Sequence, residues 1–217
     1  AAASLADLAG RAATILMCLP GGPEVEAVVL GSGGLVTAVG SGHTVVDMST
    51  APPRLMRDIA RRLEERGARF ADAPVARTRQ AAVDGTLSIM VGGAADLFAD
   101  LKPILATMGS EVTHCGAVGA GQIVKLMNNM VVFETTMAIA EAISIAEASG
   151  VDGKLLFETM AKGSADSFVL RNHGMKHLVP RHYPEQAFSV RYAQKDLSYA
   201  RELAREAGVS ARAADLV

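Results

Sequence analysis

The feature that most constrains the fold is a long run without proline or glycine. This run extends from Gln122 to Ser149, and Gly150 follows it. Because proline and glycine commonly interrupt or end helices, the run predicts a single helix of about 28 residues, or roughly 42 Å. Its first half is apolar nearly all round, which is typical of a buried helix. We therefore expect it to lie between domains or subunits, in a homodimer or homotetramer.

The residues before this helix alternate short apolar runs with helical patterns. Such alternation predicts an α/β layered sheet, and the residues after the long helix predict helices only. The expected strands are Thr14–Leu19, Thr44–Met48, Arg69–Ala71, Leu87–Val91 and Val112–Cys115. The expected helices are Ala1–Ala13, Glu24–Leu30, Pro53–Arg66, Ala95–Met108, Gly153–Lys162, Asp166–Leu178 and Tyr192–Ala207.

The composition is typical of enzymes built from helices packed on sheets. Half of the residues are hydrophobic, only 4% are aromatic, and the formal net charge is −2. That charge gives no reason to expect nucleic acid or an anionic membrane, and we expect no apolar run to reach transmembrane length. Cys18 and Cys115 both lie in apolar, strand-like runs. We therefore expect no disulfide framework and a location in a reducing cytoplasm.

The start of the long helix carries a polar group that could do chemistry. Lys125 and Asn129 are four residues apart and Asn128 is three from Lys125, so all three can share one face. An ammonium group among apolar neighbours is poorly solvated, which lowers its pKa towards the range of an acid/base residue. The alternative is a lysine that extends its charge to solvent beside two structural asparagines.

Four segments in the same order resemble those of the β-hydroxyacid dehydrogenase family. This family includes 3-hydroxyisobutyrate dehydrogenase and tartronate semialdehyde reductase. The Gly119–Asn129 segment resembles the family's catalytic signature, and Asp47–Pro52 resembles its Asp-x-Ser-Thr segment. Asp72–Val75, followed by Asp84–Leu87, resembles its substrate-binding segment, and Lys195–Leu197 its Lys-Asp-Leu segment. Four ordered matches over nearly the whole chain favour the chemical role of Lys125.

The resemblance implies an oxidoreductase that transfers a hydride between NAD or NADP and a small hydroxy acid or semialdehyde. Lys125 would pass a proton to or from the substrate oxygen. The other implied residues are Asn128, Asn129 and Asp196 at the substrate, and Leu19, Pro20, Ser49, Thr50 and Lys195 at the cofactor. For Lys195 and Asp196, the alternative is a surface pair near a helix start.

The resemblance also implies a domain organisation. Residues 1–118 would form an incomplete Rossmann-type nucleotide-binding domain, and residues 119–217 an all-α substrate and dimerisation domain like that of 6-phosphogluconate dehydrogenase. The family's first strand and Gly-x-Gly-x-x-Gly turn do not occur in the 217 residues. Gly31–Gly34 is no substitute, because it follows a helical pattern. We therefore expect the first βαβ unit to be absent from these residues and the all-α domain to be truncated at its C-terminus. Either the missing parts belong to a longer protein, or the chain is a fragment.

A second departure affects the substrate. The family usually continues Asp-Ala-Pro-Val with Ser-Gly-Gly, whereas this chain has Ala76, Arg77 and Thr78. A guanidinium group offers paired donors suited to an oxyanion, so we expect a small anionic substrate. The pattern Pro-Val-x-Arg-Thr is similar to that of sulfolactaldehyde reductases, in which the segment meets a sulfonate. The alternative is a surface arginine on a variable loop.

Two further hypotheses are weaker on sequence grounds. His173 and His177 are four residues apart, but no carboxylate or cysteine completes a ligand set, so we expect no metal. A catalytically silent relative, acting as a ligand-binding or assembly module, is the competing function. Lys125, Asn129 and the Asp47–Thr50 segment argue against it, because such a module has no reason to keep them together.

Overall fold

The computed structural model describes residues 1–185 and 188–217. The described chain separates into two compact units, Ala1–Met127 and Asn128–Val217. The expected boundary between residues 118 and 119 lies just before the long helix, whereas the boundary between the compact units falls within it. Each unit is described by itself below.

Unit 1 is built on a six-stranded mixed sheet. The first three strands are parallel neighbours, and the fifth pairs antiparallel with the third and fourth and parallel with the sixth. The strands are β1 Thr14–Met17, β2 Thr44–Asp47, β3 Arg69–Asp72, β4 Val75–Ala76, β5 Leu87–Gly92 and β6 Gly109–Gly116. The predicted α/β sheet is thus confirmed.

Both faces of this sheet are covered by helices. Consecutive residues of a strand point to opposite faces. Val45 accordingly belongs to one apolar core with Val29 and Ile59, and Val46 belongs to a second core with Leu101. The helices of unit 1 are α1 Leu5–Ala9, α2 Gly22–Leu30, α3 Leu35–Ala38, α4 Pro53–Glu64, α5 Arg79–Val83 and α6 Ala95–Leu105. Helices on both faces are the layered arrangement expected from strand and helix alternation.

The long helix is α7, Ala120–Ala148, with 29 residues. It begins and ends within two residues of its expected bounds. Its expected burial between domains or subunits stays a prediction. Most of its residues are at least partly exposed, including Val131 and Ile145. The expectation that no segment reaches transmembrane length was wrong, because α7 is long and apolar enough by length and composition to cross a membrane. One such helix is weak evidence, since core helices pass the same test.

Unit 2 is helical in its described residues. Its core contains Phe157 and Leu170, which are fully buried, and Ile139 and Ile143 from α7. The helices after α7 are α8 Gly153–Met160, a π-helix Leu170–Leu178, α9 Val190–Glu206 and α10 Arg212–Leu216. The expected α-helix over Asp166–Leu178 is therefore shorter and mostly of the wider π type.

Candidate functional site

The carboxyl ends of β1, β2 and β3 lie at one edge of the sheet, because these strands are parallel. Leu19 and Pro20 follow β1, and Ser49 and Thr50 follow β2. The Leu19 N–H donates to Ser49 Oγ over 2.8 Å, which joins the two segments. In open α/β sheets ligands bind at the carboxyl ends of the strands. Four of the predicted cofactor residues are thus at the edge where a ligand is expected.

Asp72, the last residue of β3, is fully buried and binds the start of α7. Its Oδ1 accepts the Gly119 N–H at 2.6 Å, and its Oδ2 accepts the Gln122 N–H at 2.8 Å. These N–H groups lie at a helix start, where they lack partners within the helix and favour negative charge. Burial nevertheless dominates and raises the pKa of Asp72 to about 6, against the opposing effect of the two hydrogen bonds.

Gln122 connects the same helix start to the segment after β2. Its side chain is fully buried. The Nε2 group donates to the Ser49 carbonyl over 2.8 Å, and Oε1 accepts the Ala51 N–H at 3.1 Å. Both halves of the amide therefore have backbone partners, one on each side of Thr50.

Two glycines allow this close approach. A Cβ on Gly121 would lie 2.3 Å from the Met90 carbonyl oxygen and 2.8 Å from Asp72 Oδ2. A Cβ on Gly92 would lie 2.4 Å from Asp72 Oδ1. The first glycine of the segment, Gly119, has a φ of 90°, a conformation that favours glycine. The glycines beside Lys125 therefore serve backbone packing around a carboxylate.

Lys125 lies three residues beyond Gln122 on α7 and is only 9% exposed. A lysine is rarely buried to this extent unless its charge has a partner or a function. Asn129 follows one turn later on the same helix and is 6% exposed, whereas Asn128 is exposed. The predicted face of Lys125 and Asn129 is thus on one continuous helix, with Asn128 towards solvent.

In unit 2, the side chains of Asn129, Asp196 and Lys195 are linked. Asn129 Nδ2 donates to Asp196 Oδ2 over 2.6 Å, and Lys195 Nζ lies 2.9 Å from Asp196 Oδ1. Asp196 is 3% exposed. Lys195 Nζ also lies 5.9 Å and 5.3 Å from the ring centroids of Tyr192 and Tyr199. Asp196 therefore connects two of the predicted site residues.

The segment that departs from the family pattern is also held by hydrogen bonds. Arg77 has a φ of 87°, which is unusual for a residue with a Cβ. Its Nη1 group donates to the Thr86 carbonyl and to Ser110 Oγ, over 2.6 Å and 2.8 Å. Thr78 Oγ1 accepts the Ala81 N–H and so caps α5, while Ala76 is buried in β4. Arg77 and Thr78 are exposed.

The sequence did not single out Asp72 and Gln122 as functional, although both lie in the segments that carry the resemblance. The residues next to Asp72 and Gln122 in the sequence do not indicate a role for either one. A glutamine at a helix start, for example, could equally face solvent. Their importance follows from contacts across 50 and 73 residues of chain. Within residues 1–185 and 188–217, no group of three histidine, cysteine or acidic side chains could hold a metal ion.

The residues present fit one end of a nicotinamide dinucleotide. The exposed Pro20 and the partly exposed Thr50 lie at the carboxyl ends of adjacent parallel strands, where a flat ring could be contacted. The glycine-rich turn that usually holds a pyrophosphate does not occur in the 217 residues. The fit therefore concerns the nicotinamide side of the cofactor.

Comparison with known proteins gives two family matches. Residues 1–116 match the NAD binding domain of 6-phosphogluconate dehydrogenase. Residues 119–217 match the model described as NAD-binding of NADP-dependent 3-hydroxyisobutyrate dehydrogenase. Both descriptions agree with the predicted NAD or NADP cofactor.

Individual proteins show the same relationship. The chain is 37% identical to mitochondrial 3-hydroxyisobutyrate dehydrogenase of Mus musculus, with 94% of this chain and 62% of the relative covered. It is 35% identical to 2-hydroxy-3-oxopropionate reductase of Escherichia coli, with 88% and 65% covered. The chain thus spans less than two thirds of both relatives.

A solved structure confirms the fold. The 3-hydroxyisobutyrate dehydrogenase of Mycobacterium tuberculosis, solved with L-serine, matches with a TM-score of 0.89 at 27% identity. The match covers 98% of this chain and 74% of that one. The predicted Rossmann-type sheet followed by a helical part is thereby confirmed. Together with the two family matches, these relationships show that the chain belongs to the β-hydroxyacid dehydrogenase family.

Proposed function

We propose that this protein is an NAD(P)-dependent dehydrogenase or reductase of small hydroxy acids and semialdehydes, with Lys125 as its acid/base residue. The family membership supports the reaction class. Relatives are named 3-hydroxyisobutyrate dehydrogenase, 2-hydroxy-3-oxopropionate reductase and NAD-dependent L-serine dehydrogenase. All three names describe redox chemistry at a hydroxyl or carbonyl carbon of a small molecule.

The observation that carries the proposal is the burial of Lys125, 9% exposed, on the helix that Asp72 and Gln122 tie to the strand ends. NAD(P), when bound, supplies or accepts the hydride. Lys125 would pass a proton to the substrate oxygen in reduction and remove it in oxidation. Its ammonium group would also stabilise the negative charge that develops on that oxygen.

The other proposed roles follow from chemistry and position. Leu19, Pro20, Ser49 and Thr50 would contact the nicotinamide end of the cofactor, and the NAD-binding description of the second matched model supports a cofactor role for Lys195. Asn129, with Asn128, would position the substrate through its amide. Asp196 would orient both Asn129 and Lys195, since its carboxylate contacts both side chains.

For the substrate's acid group we propose a strong anion such as a sulfonate, held by Arg77. Only Nη1 of its guanidinium makes a hydrogen bond to described residues, to Thr86 and Ser110. These bonds fix the side chain while Nε and Nη2 keep donors for an oxyanion. Thr78 and the backbone at Ala76 would complete the contact.

Kinetics on the intact protein tests the proposed reaction. We expect oxidation of NADH or NADPH with short semialdehydes, and a fall in kcat of about 100- to 10,000-fold in Lys125→Met. Lys154→Met, at an exposed lysine of α8, is the control and should behave as wild type. If wild type binds NADH without turning over any semialdehyde, the silent ligand-binding module is correct instead.

A second experiment tests the sulfonate. In Arg77→Ala we expect KM to rise at least about tenfold for a sulfonated semialdehyde and less for a carboxylated one. Arg77→Lys keeps the charge but not the paired donors, so it should recover only part of the difference. Unchanged KM values for both substrates in Arg77→Ala would show that Arg77 is a surface residue.

We further propose that the protein is a homodimer or homotetramer. Apolar residues of α7, among them Val131 and Ile145, are more than half exposed in the single chain. Exposed apolar surface of this kind marks interaction sites. Sedimentation equilibrium of the intact protein tests this, and a monomer at micromolar concentration would contradict it. The cytoplasmic location stays a prediction.

A further inference from the structure

We propose that Gln122 is a positioning residue, whose buried amide holds the backbone on both sides of Thr50 and so fixes Thr50 relative to Lys125. The proposal rests on the proposed function, because it concerns the alignment of that reaction's groups. It assigns a role to a residue whose observed side-chain contacts are with the backbone of the segment after β2.

The first argument is the pattern of the two hydrogen bonds. Gln122 Nε2 donates to the carbonyl of Ser49, and Oε1 accepts the N–H of Ala51. In a parallel sheet, the N–H of one residue donates to the carbonyl of the residue that precedes its neighbour on the next strand. The C=O of the same residue accepts the N–H of the residue that follows that neighbour. The amide of Gln122 therefore supplies the donor and the acceptor that one residue of a neighbouring parallel strand, opposite Thr50, would supply.

The second argument is that Gln122 is itself held. Its own N–H donates to Asp72 Oδ2 over 2.8 Å, at the last residue of β3. Its side chain is fully buried, so water cannot easily replace either amide contact. A residue anchored through both its main chain and its side chain transmits position well.

The third argument is the short path to Lys125. Lys125 lies three positions after Gln122 on the α-helix, a rise of about 4.5 Å. Thr50 is flanked directly by the two residues that Gln122 binds. The segment after β2 and the lysine are thus connected through two hydrogen bonds and less than one turn of rigid helix. A misplacement of about 1 Å between reacting groups can cost on the order of 100-fold in rate.

The first test replaces the amide without changing the length of the side chain. In Gln122→Met we expect kcat to fall about 10- to 100-fold, with the substrate KM close to its wild-type value. The amide hydrogen of Ala51, which loses its acceptor, should exchange with solvent faster. A wild-type kcat in a folded Gln122→Met protein would overturn the proposal, as would unchanged exchange at Ala51.

A second variant distinguishes positioning from a general loss of structure. In Gln122→Glu, the carboxylate can accept from Ala51 but repels the Ser49 carbonyl, whereas the protonated acid restores both bonds. We expect the ratio of its kcat to that of wild type to rise as the pH is lowered. Gln122→Met cannot be protonated, so its ratio should stay flat. Equal pH dependence of the two ratios would contradict the proposal.

Failure of the proposal and failure of the proposed function give different results. If Lys125→Met is inactive while Gln122→Met matches wild type, the reaction stands and the role of Gln122 is wrong. If wild type turns over no hydroxy acid or semialdehyde, the proposed function fails and the positioning role falls with it. Slower turnover and faster Ala51 exchange in Gln122→Met, with active wild type, support both.

Discussion

The buried polar contacts at the start of α7 and those around Asp196 are built from different partners. Among the described residues, the side chains of Asp72 and Gln122 bind backbone groups, at Gly119, Gln122, Ser49 and Ala51. Asp196 binds the side chains of Asn129 and Lys195. Main-chain partners are fixed by the fold, whereas side chains can change rotamer. Substitutions in the first region should therefore affect folding as well as chemistry, and substitutions in the second mainly chemistry.

The largest effect should follow from adding a methyl group where α7 meets β5. In Gly121→Ala the new Cβ would lie 2.3 Å from the Met90 carbonyl, which is backbone and cannot turn away. We expect a loss of about 3 kcal/mol or more in the free energy of unfolding, measured with urea. Gly10→Ala is the control, because its Cβ would meet the Ala6 and Asp7 carbonyl oxygens at ordinary contact distances of 3.5 Å and 3.6 Å. Similar stability of the two variants would show that α7 can shift freely.

The next effect concerns the pH dependence of stability. Burial raises the pKa of Asp72 from 3.8 to about 6. The folded state holds the proton of the Asp72 carboxyl more tightly than the unfolded state does. The protonated carboxyl therefore makes its full contribution to the free energy of unfolding below the unfolded pKa. This contribution is lost as pH rises through about 6, and amounts to about 3 kcal/mol between pH 3 and pH 7.

The matched variant for this effect is Asp72→Asn, which cannot ionise. Unfolding free energies of both proteins should be measured from pH 3 to pH 7. We expect the difference, wild type minus variant, to become less favourable to wild type as the pH rises. If the difference in unfolding free energy between wild type and Asp72→Asn stayed constant with pH, the charged Asp72 carboxylate would be solvated by water or by a movement of α7. The contacts at the start of α7 would then not be rigid.

A smaller effect on stability, with a clear effect on activity, is expected at Asp196. In Asp196→Asn an oxygen remains for Asn129, but the charge facing Lys195 is lost. We expect a loss of about 1 kcal/mol or less in the free energy of unfolding. We expect kcat/KM to fall on the order of tenfold. A large loss of stability with unchanged kcat/KM would remove the contrast between the two regions.

The smallest effect should come from the tyrosines around Lys195. Tyr199→Leu removes a ring whose centroid lies 5.3 Å from Lys195 Nζ. We expect a loss of about 0.5–1 kcal/mol in unfolding free energy, since such contacts are weak at partly exposed sites. Tyr199→Phe keeps the ring and should lose less than Tyr199→Leu. An equal loss in both would assign the effect to the hydroxyl group.

Much of the fold follows from the sequence, because its strongest patterns are local. The Pro-first helix α4 and the uninterrupted run of α7 were predicted within two residues of their observed bounds. The strand β4 has two residues and the helix α5 has five, too few for a periodic pattern to show. An apolar composition does not say what covers each face of a helix, so the exposure of Val131 and Ile145 in the single chain could not be predicted.

The candidate site was predictable only in part, for a related reason. Lys125 is marked by its apolar neighbours, and its burial agrees with that pattern. Gln122 has no such mark, since its partners Ser49 and Ala51 are more than 70 residues away in the chain. Composition near a residue predicts solvation, but hydrogen bonds between distant segments depend on the sheet that brings them together.

The amide of Gln122 has a consequence for recombination between family members. It joins two segments of the chain whose bonded residues, Ser49 and Gln122, are 73 positions apart in the sequence. A crossover anywhere between residues 52 and 121 would take the strand-end segment from one parent and the glutamine position from the other. Chimaeras with such a crossover should be active only where the second parent also supplies an amide of the same length. Libraries that exchange residues 44–51 together with residue 122 should retain more active members.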